Sequence, residues 1–270
     1  MFMSQPSKEQ LAKQKRAQDS LLAVQEAVFK NAKTQKIDSM VQSITAGATT
    51  DTLGTSANDS LQKLTVLQKY GEFSNAVSDK NANDCFIIEN EKIRAVICSK
   101  GGRITSVQVK GFKTYKKDSL LLFSADSSMF GILFDTETGR TFNTNDFYFS
   151  AESASVFAKG DQTKKFSMRL YAGAKDKYIE YEYSLKGNDY MLGCKLNLVN
   201  MNNIIAKNAT ELGLNWGMKT PSNEKDAVNE RNASTAYFKY LEEEPDYISE
   251  RNDETKPINE AKIKWVAFKQ

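Results

Sequence analysis

The stretch FIIENEKIRAVICSKGGRITSVQVKGF, residues Phe86–Phe112, decides the fold. Phe86-Ile87-Ile88 is short and apolar, and Glu89-Asn90-Glu91 interrupts it with polar residues. Ile93, Ala95 and Ile97 then alternate with Arg94, Val96 and Cys98, the period of two that marks a strand. Ser99-Lys100-Gly101-Gly102 is a turn signal, because glycine reaches positive φ without the steric penalty of a Cβ. Beyond it, Thr105, Val107 and Val109 alternate with Ser106, Gln108 and Lys110. The segment reads as strand, turn, strand, turn, strand, and carries no catalytic pattern. Its expected product is a sheet, with Gly101 and Gly102 as a structural turn.

The same period spreads outward. Leu120 to Phe123 and Phe130 to Phe134 are apolar runs of strand length. Phe166, Met168 and Leu170 alternate with polar partners, as do Ile179, Tyr181, Tyr183 and Leu185. Lys186-Gly187-Asn188-Asp189 marks a hairpin turn, and Tyr190 to Leu198 returns from it. Leu212, Leu214, Trp216 and Met218 alternate again, which places Trp216 among core candidates. Ala236 to Tyr240 reads as a strand. EEEPDYISERNDETKPINEAK, residues 242–262, reads as a charged loop. Apolar character returns in IKWVAFKQ, residues 263–270. Many strands with one apolar face each, separated by turns, predict an antiparallel all-β domain. A large sandwich suits the length better than a small barrel.

Upstream of this region the period is that of a helix. Leu11, Ala17, Leu21, Val24 and Val28 form an apolar stripe within residues 7–33. TAGATTDTLGTSANDS, residues 45–60, is nearly free of large apolar side chains, so residues 34–60 read as a flexible linker. Leu61, Leu64, Leu67 and Tyr70 predict a short helix over Ser60–Ala76. The expected organisation is a helical and flexible extension over residues 1–83 and a β domain over 84–270.

Composition narrows function. The chain has 270 residues, a net charge of +3 and 26% charged residues, too balanced to argue for nucleic acid as partner. Mean hydropathy is −0.54, and no run approaches the ~20 apolar residues that cross a bilayer. Met1-Phe2-Met3 is cut short by Ser4-Gln5-Pro6, so no signal peptide is legible. Trp265 and Phe268 lie so near the end that the sequence reads as a segment of a longer chain. There is no histidine, which excludes Ser-His-Asp and Cys-His catalysis and the usual zinc hydrolase sites. The cysteines are Cys85, Cys98 and Cys194, and an odd count argues against a disulfide framework. Cys194 alternates with Leu192, Leu196 and Leu198, and is expected to be a small buried hydrophobe.

Other clusters have plain readings. Glu242, Glu243, Glu244 and Asp246 lack a cation-binding loop. No helix N-terminus follows Gly101-Gly102 to receive a phosphate. Lys13, Lys15 and Arg16 are flanked by Glu9 and Asp19, as on a solvated helix face. No metal, cofactor or nucleic acid is expected.

Three stretches carry a resemblance. FIIENEKIRAVICSKGGRITSVQVKGFKTY (Phe86–Tyr115), NTNDFYF (Asn143–Phe149) and KWVAFKQ (Lys264–Gln270) resemble the periplasmic region of the membrane protein insertases of the YidC/Oxa1 family, in its Bacteroidetes-type variant. The resemblance spans residues 84–270, dense at both ends and thin in the middle. It implies a β-supersandwich similar to galactose mutarotases. It also implies a place at the periplasmic face of the inner membrane, an uncleaved membrane helix near Met1, and further membrane helices after Gln270. The chain would then be a non-catalytic scaffold and docking module. Its partners would be its own transmembrane insertase domain, nascent membrane proteins and the Sec translocon. The family's insertion groove lies in the membrane part, so no insertase residue carries over to any position here. Trp265 and Phe268 would pack at the membrane-proximal end of the sandwich. Sugar mutarotases use histidines for acid–base work, which this chain lacks, so the fold does not bring that activity. The alternatives are a glycan-binding sandwich, with Trp216 and Tyr237 stacking on a sugar, and an extracellular adhesive or structural β domain.

Overall fold

Alternation becomes sheet wherever one face can be covered. In the computed structural model the residues described are 54–77, 84–123, 128–209, 211–219, 221–249, 251, 254–256 and 262–269. The helix expected over residues 7–33 lies outside them, as does most of the expected linker. Residues 1–61 and 62–270 are separate units, and the second carries the sheets.

The opening stretch forms β1 (Cys85–Glu89), β2 (Ile93–Cys98) and β3 (Ile104–Lys113), and β4 (Ser119–Phe123) continues the meander. These strands pair antiparallel, while the short β8 (Val156–Phe157) adds to β1 in parallel, giving the order β4-β3-β2-β1-β8. A second sheet has the order β11-β10-β9-β7, from β7 (Ser150–Ala151), β9 (Thr163–Ala172), β10 (Ala174–Lys186) and β11 (Leu192–Val199). A third has the order β12-β5-β6, from β5 (Ser128–Asp135), β6 (Thr141–Asn143) and β12 (Gly213–Met218). The fourth, β14-β13-β15, is built from β13 (Thr235–Tyr240), β14 (Asp246–Ser249) and β15 (Ile263–Lys269). The molecule is an all-β sandwich with few helices, as the alternation predicts.

The core lies between the first two sheets and against the third. Ile88, Ala95 and Ile97 meet Phe166, Met168, Leu170, Ile179, Tyr181 and Tyr183, all essentially buried. Phe86 and Phe166 bring two sheets together at 5.5 Å between ring centroids, and Phe130 meets Tyr181 at 6.0 Å. The two buried tyrosines keep their hydroxyls paired, as buried polar groups must. Tyr181 shares a 2.8 Å hydrogen bond with Thr144, and Tyr183 donates to the Gly102 carbonyl at 2.8 Å. Burial pushes the Tyr181 phenol up to about 12.

The Gly-Gly turn and the NTNDFYF motif interlock. Gly101 and Gly102 have φ of 77° and 61°. The Gly101 N–H donates to the Phe147 carbonyl and the Phe149 N–H to the Ser99 carbonyl, each at 2.8 Å. A Cβ on Gly102 would come within 2.6 Å of the Phe149 ring. Asn90, inside what the sequence shows only as a polar break, is fully buried. Its side-chain oxygen accepts from Lys92 and Ile93, and its amide donates to the Lys186 and Asp189 carbonyls. That one amide ties the β1–β2 turn to the β10–β11 hairpin.

The solvent side of β9–β11 carries a polar network. Arg169 pairs with Glu180 at 2.9 Å and Glu152 at 2.7 Å, and its guanidinium lies 4.5 Å from the Tyr178 ring centre. Asn197 donates to Glu180 at 2.8 Å. Burial of Glu180 opposes its ionisation, but the hydrogen bonds from Asn197 and Arg169 and the Arg169 charge outweigh it, holding the carboxyl below its ordinary 4.5.

Four expectations need correction. Cys85 and Cys98 form a disulfide. They stand directly opposite in the β1–β2 register, and an odd cysteine count does not forbid one pair plus one free thiol. The free thiol, Cys194, is exposed and not buried. The helix expected over Ser60–Ala76 is α1 (Gly54–Tyr70) followed by a 3-10 turn over Gly71–Ala76, so the expected linker ends before residue 54. Phe73 in that turn is buried and packs on Phe134, Phe142 and Phe147. The sandwich therefore takes part of its core from before residue 84. Finally, Asp246–Ser249 within the expected charged loop is β14, pairing with β13 from Phe238↔Asp246 to Thr235↔Ser249.

Candidate functional site: an apolar groove bounded by strand edges

Three strands that end their sheets, β4, β12 and β15, meet around one groove. Its volume is about 1000 Å³, and its apolar lining includes Leu120, Leu122, Trp216, Met218 and Phe268. Trp216 and Phe268 form an edge-to-face pair at 5.1 Å between centroids and 81° between planes, a favoured aromatic geometry. Trp216 is 46% exposed and Phe268 38%.

This corrects the core expectation for Trp216. Alternation places its face correctly, since it stands opposite Phe130 on β5. Alternation does not report depth, and β12 is an outermost strand, so its inward face is only half covered. The same reason exposes Cys194 and Leu198 on β11, the edge of the second sheet. Surrounding protein still pushes the Cys194 thiol up to about 11 by desolvation, so it is a weak nucleophile.

A polar lip faces the apolar wall. Asp226 caps α2 (Ala227–Ala233), accepting from the Val228 and Asn229 N–H groups at 3.1 Å each. Glu230, largely buried, accepts from the Ser222 hydroxyl at 2.5 Å and from the Asn223 and Glu224 N–H groups at 2.7 and 3.2 Å. One carboxylate thus shapes the whole 222–224 loop. Sequence reading missed it, because a lone Glu in a helix of seven residues gives no signal.

Trp265 and Phe268, expected to pack at the membrane-proximal end of the sandwich, both lie on β15, on its opposite faces. Phe268 stands opposite Ala236 and turns to Trp216, while Trp265 stands opposite Lys239. Trp265 is 39% exposed, so neither is a core residue. Tyr237 packs against Tyr247 with ring centroids 5.9 Å apart and planes tilted at 47°, and does not line the groove. Gly101 and Gly102 are in their turn, away from the groove.

The arrangement offers an apolar wall with a polar lip. Among the described residues no three metal-ligating side chains converge, and Asp246 is engaged by Lys256 at 2.9 Å. No helix among them is long and apolar enough to cross a membrane. A second hollow, of about 560 Å³, is lined by Tyr70, Glu72, Phe142 and Arg140.

Residues 86–270 match the family described as the YidC periplasmic domain. The chain belongs to that family. Curated relatives, each called membrane protein insertase YidC, agree. That of Parabacteroides distasonis is 27% identical over 99% of this chain and 40% of its own length. That of Azobacteroides pseudotrichonymphae is 31% identical over 74% of this chain and 31% of its own. That of Porphyromonas gingivalis (strain ATCC 33277) is 28% identical over 78% and 32%. The chain therefore spans well under half the length of these relatives. The YidC periplasmic match covers all fifteen strands among the described residues but the first residue of β1. The Cys85–Cys98 disulfide suits an oxidising compartment such as the periplasm.

Proposed function

We propose that the chain is the periplasmic part of a YidC-type inner-membrane insertase and works as a non-catalytic scaffold and docking module. The observation that carries this reading is the family match over residues 86–270. The absence of histidine from the sequence removes the usual proton-transfer group of mutarotase-like folds. The apolar groove at Trp216 and Phe268 is the docking surface in this account. Its partners are nascent membrane proteins or Sec translocon components, with the transmembrane insertase domain supplied by the rest of the protein. Half-exposed aromatics framed by polar residues are the usual composition of a contact centre.

Complementation of an insertase-depleted strain by the full-length protein carrying Trp216→Ser and Phe268→Ser is the test. Reduced insertion of client proteins at unchanged protein level is the expected result. Full insertion activity would remove the groove from the account.

A glycan-binding reading is kept by one observation, the exposure of Trp216 on a groove wall. A glycan array with no ligand dependent on Trp216 would dispose of it.

A further inference from the structure

We propose that the outward face of the β13–β15 sheet is a lipid-docking surface, laid on an anionic bilayer by Tyr237, Tyr247 and Trp265 and held there by Lys239 and Lys269. The inference rests on the insertase reading for the presence of a nearby membrane, and on this sheet for everything else.

The register sorts the sheet into two unlike faces. Phe238 stands opposite Val266 and Asp246, and Ala236 opposite Phe268 and Ile248. That face is covered at its centre, where Phe238 is buried, and Phe268 meets Trp216, although Val266 and Phe268 on β15 stay 38% exposed. On the other face Tyr237 stands opposite Tyr247 and Ala267, Lys239 opposite Trp265, and Thr235 opposite Lys269 and Ser249. Tyr247 is 55% exposed and Trp265 39%, and no residue of β15 is buried. Two tyrosines and a tryptophan on one outward face of a small sheet need an explanation, because apolar aromatic surface left in water is unfavourable.

The composition selects a bilayer as the occupant. Tyrosine and tryptophan have an apolar body and a polar tip, the combination that concentrates at membrane–water interfaces. Lysine reaches from such a surface with its stem on hydrocarbon and its ammonium among headgroups. The paired positions of this face hold two lysines and no carboxylate, so its charge complements anionic headgroups. Asp246 points to the opposite face by register and is held by Lys256.

The sequence contains two tryptophans, so Trp216→Phe leaves Trp265 as the sole reporter in the 270-residue chain. That variant is mixed with vesicles of phosphatidylglycerol and phosphatidylethanolamine, and separately with phosphatidylcholine vesicles. A blue shift of Trp265 emission and quenching by brominated acyl chains are expected on the anionic vesicles alone. Both should fade in about 1 M salt, where the screening length falls to about 3 Å. Lys239→Glu with Lys269→Glu should lower partitioning by about tenfold or more, two attractive charges having become repulsive. Tyr247→Ser, a change at an exposed position, should lower it without altering the circular dichroism spectrum. Absence of any shift, equal binding to phosphatidylcholine, or unchanged partitioning of the charge-reversed variant would overturn the proposal. Complementation by the full-length protein separates this from the insertase reading. If groove variants impair insertion while vesicles leave Trp265 unmoved, the lipid surface falls and the insertase reading stands. If Trp265→Ser blocks insertion without vesicle binding, the face contacts protein and the lipid proposal is wrong.

Discussion

Gly102 shows how much a single position can hold. Its φ of 61° disfavours any side chain, and a Cβ there would press on the Phe149 ring at 2.6 Å. Its carbonyl also receives the Tyr183 hydroxyl. Gly102→Ala is expected to destabilise the fold by more than about 1 kcal/mol, read as a lowered midpoint in urea; an unchanged midpoint would deny the turn its role. Glu180 gives a pH signature. Its folded carboxyl ionises below the ordinary 4.5, so its contribution is present above the unfolded value. That contribution is lost as pH falls through the folded value. The stability gap between the native chain and Glu180→Gln should therefore be largest near neutrality and narrow as pH falls below the ordinary 4.5 and through the lower folded value. A gap independent of pH would show that Glu180 acts by shape alone. The glycine pair is legible in sequence, because only a turn needs two glycines there. The Glu180 network is not, since Arg169, Glu152 and Asn197 converge only after three strands have paired.

At the scale of elements, the β1–β2 ladder is fastened covalently. The disulfide closes a loop between residues 13 apart in sequence. Cys98→Ser is expected to cost about 3 kcal/mol, the loop-closure entropy returned to the unfolded chain, and denaturation with and without reductant should show the same difference in the native chain. The 3-10 turn at Gly71–Ala76 makes a second case. Phe73 is buried among three other phenylalanines, so Phe73→Ala should cost about 3–5 kcal/mol. A chain beginning at residue 84 should be less stable than one beginning at residue 62, by thermal melting. Equal melting temperatures would show that the turn is an ornament on a self-sufficient sandwich. Strand period predicted most of the elements well, because half-buried strands write their faces into the sequence. It erred where depth mattered: Trp216 and Cys194 have the inward phase, but sit on outermost strands that no second layer covers. It also passed over β14, where Asp246-Tyr247-Ile248-Ser249 is a ladder partner set by β13 and not by its own pattern. The cysteine pair was hidden because register, not count, brings two thiols together.

For the whole molecule, one sandwich presents two surfaces of different character. The groove at Trp216 and Phe268 is apolar and bounded by strand edges, while the far side of the same small sheet is aromatic and cationic. Sequence resemblance led to the family, and the family match over residues 86–270 agrees with it. The groove itself was not legible, because Leu122, Trp216 and Phe268 are distant in the chain and meet only when three sheets end at one place. Its role as a docking surface is the central claim. The most direct measurement places a photo-reactive amino acid at position 216 of the full-length protein in living cells and identifies what it captures during membrane protein synthesis. The account predicts adducts with nascent membrane proteins or translocon components, absent when the same group is placed at exposed Lys165 on the solvent side of β9. Capture of no protein from position 216, in cells where the protein supports insertion, would contradict it.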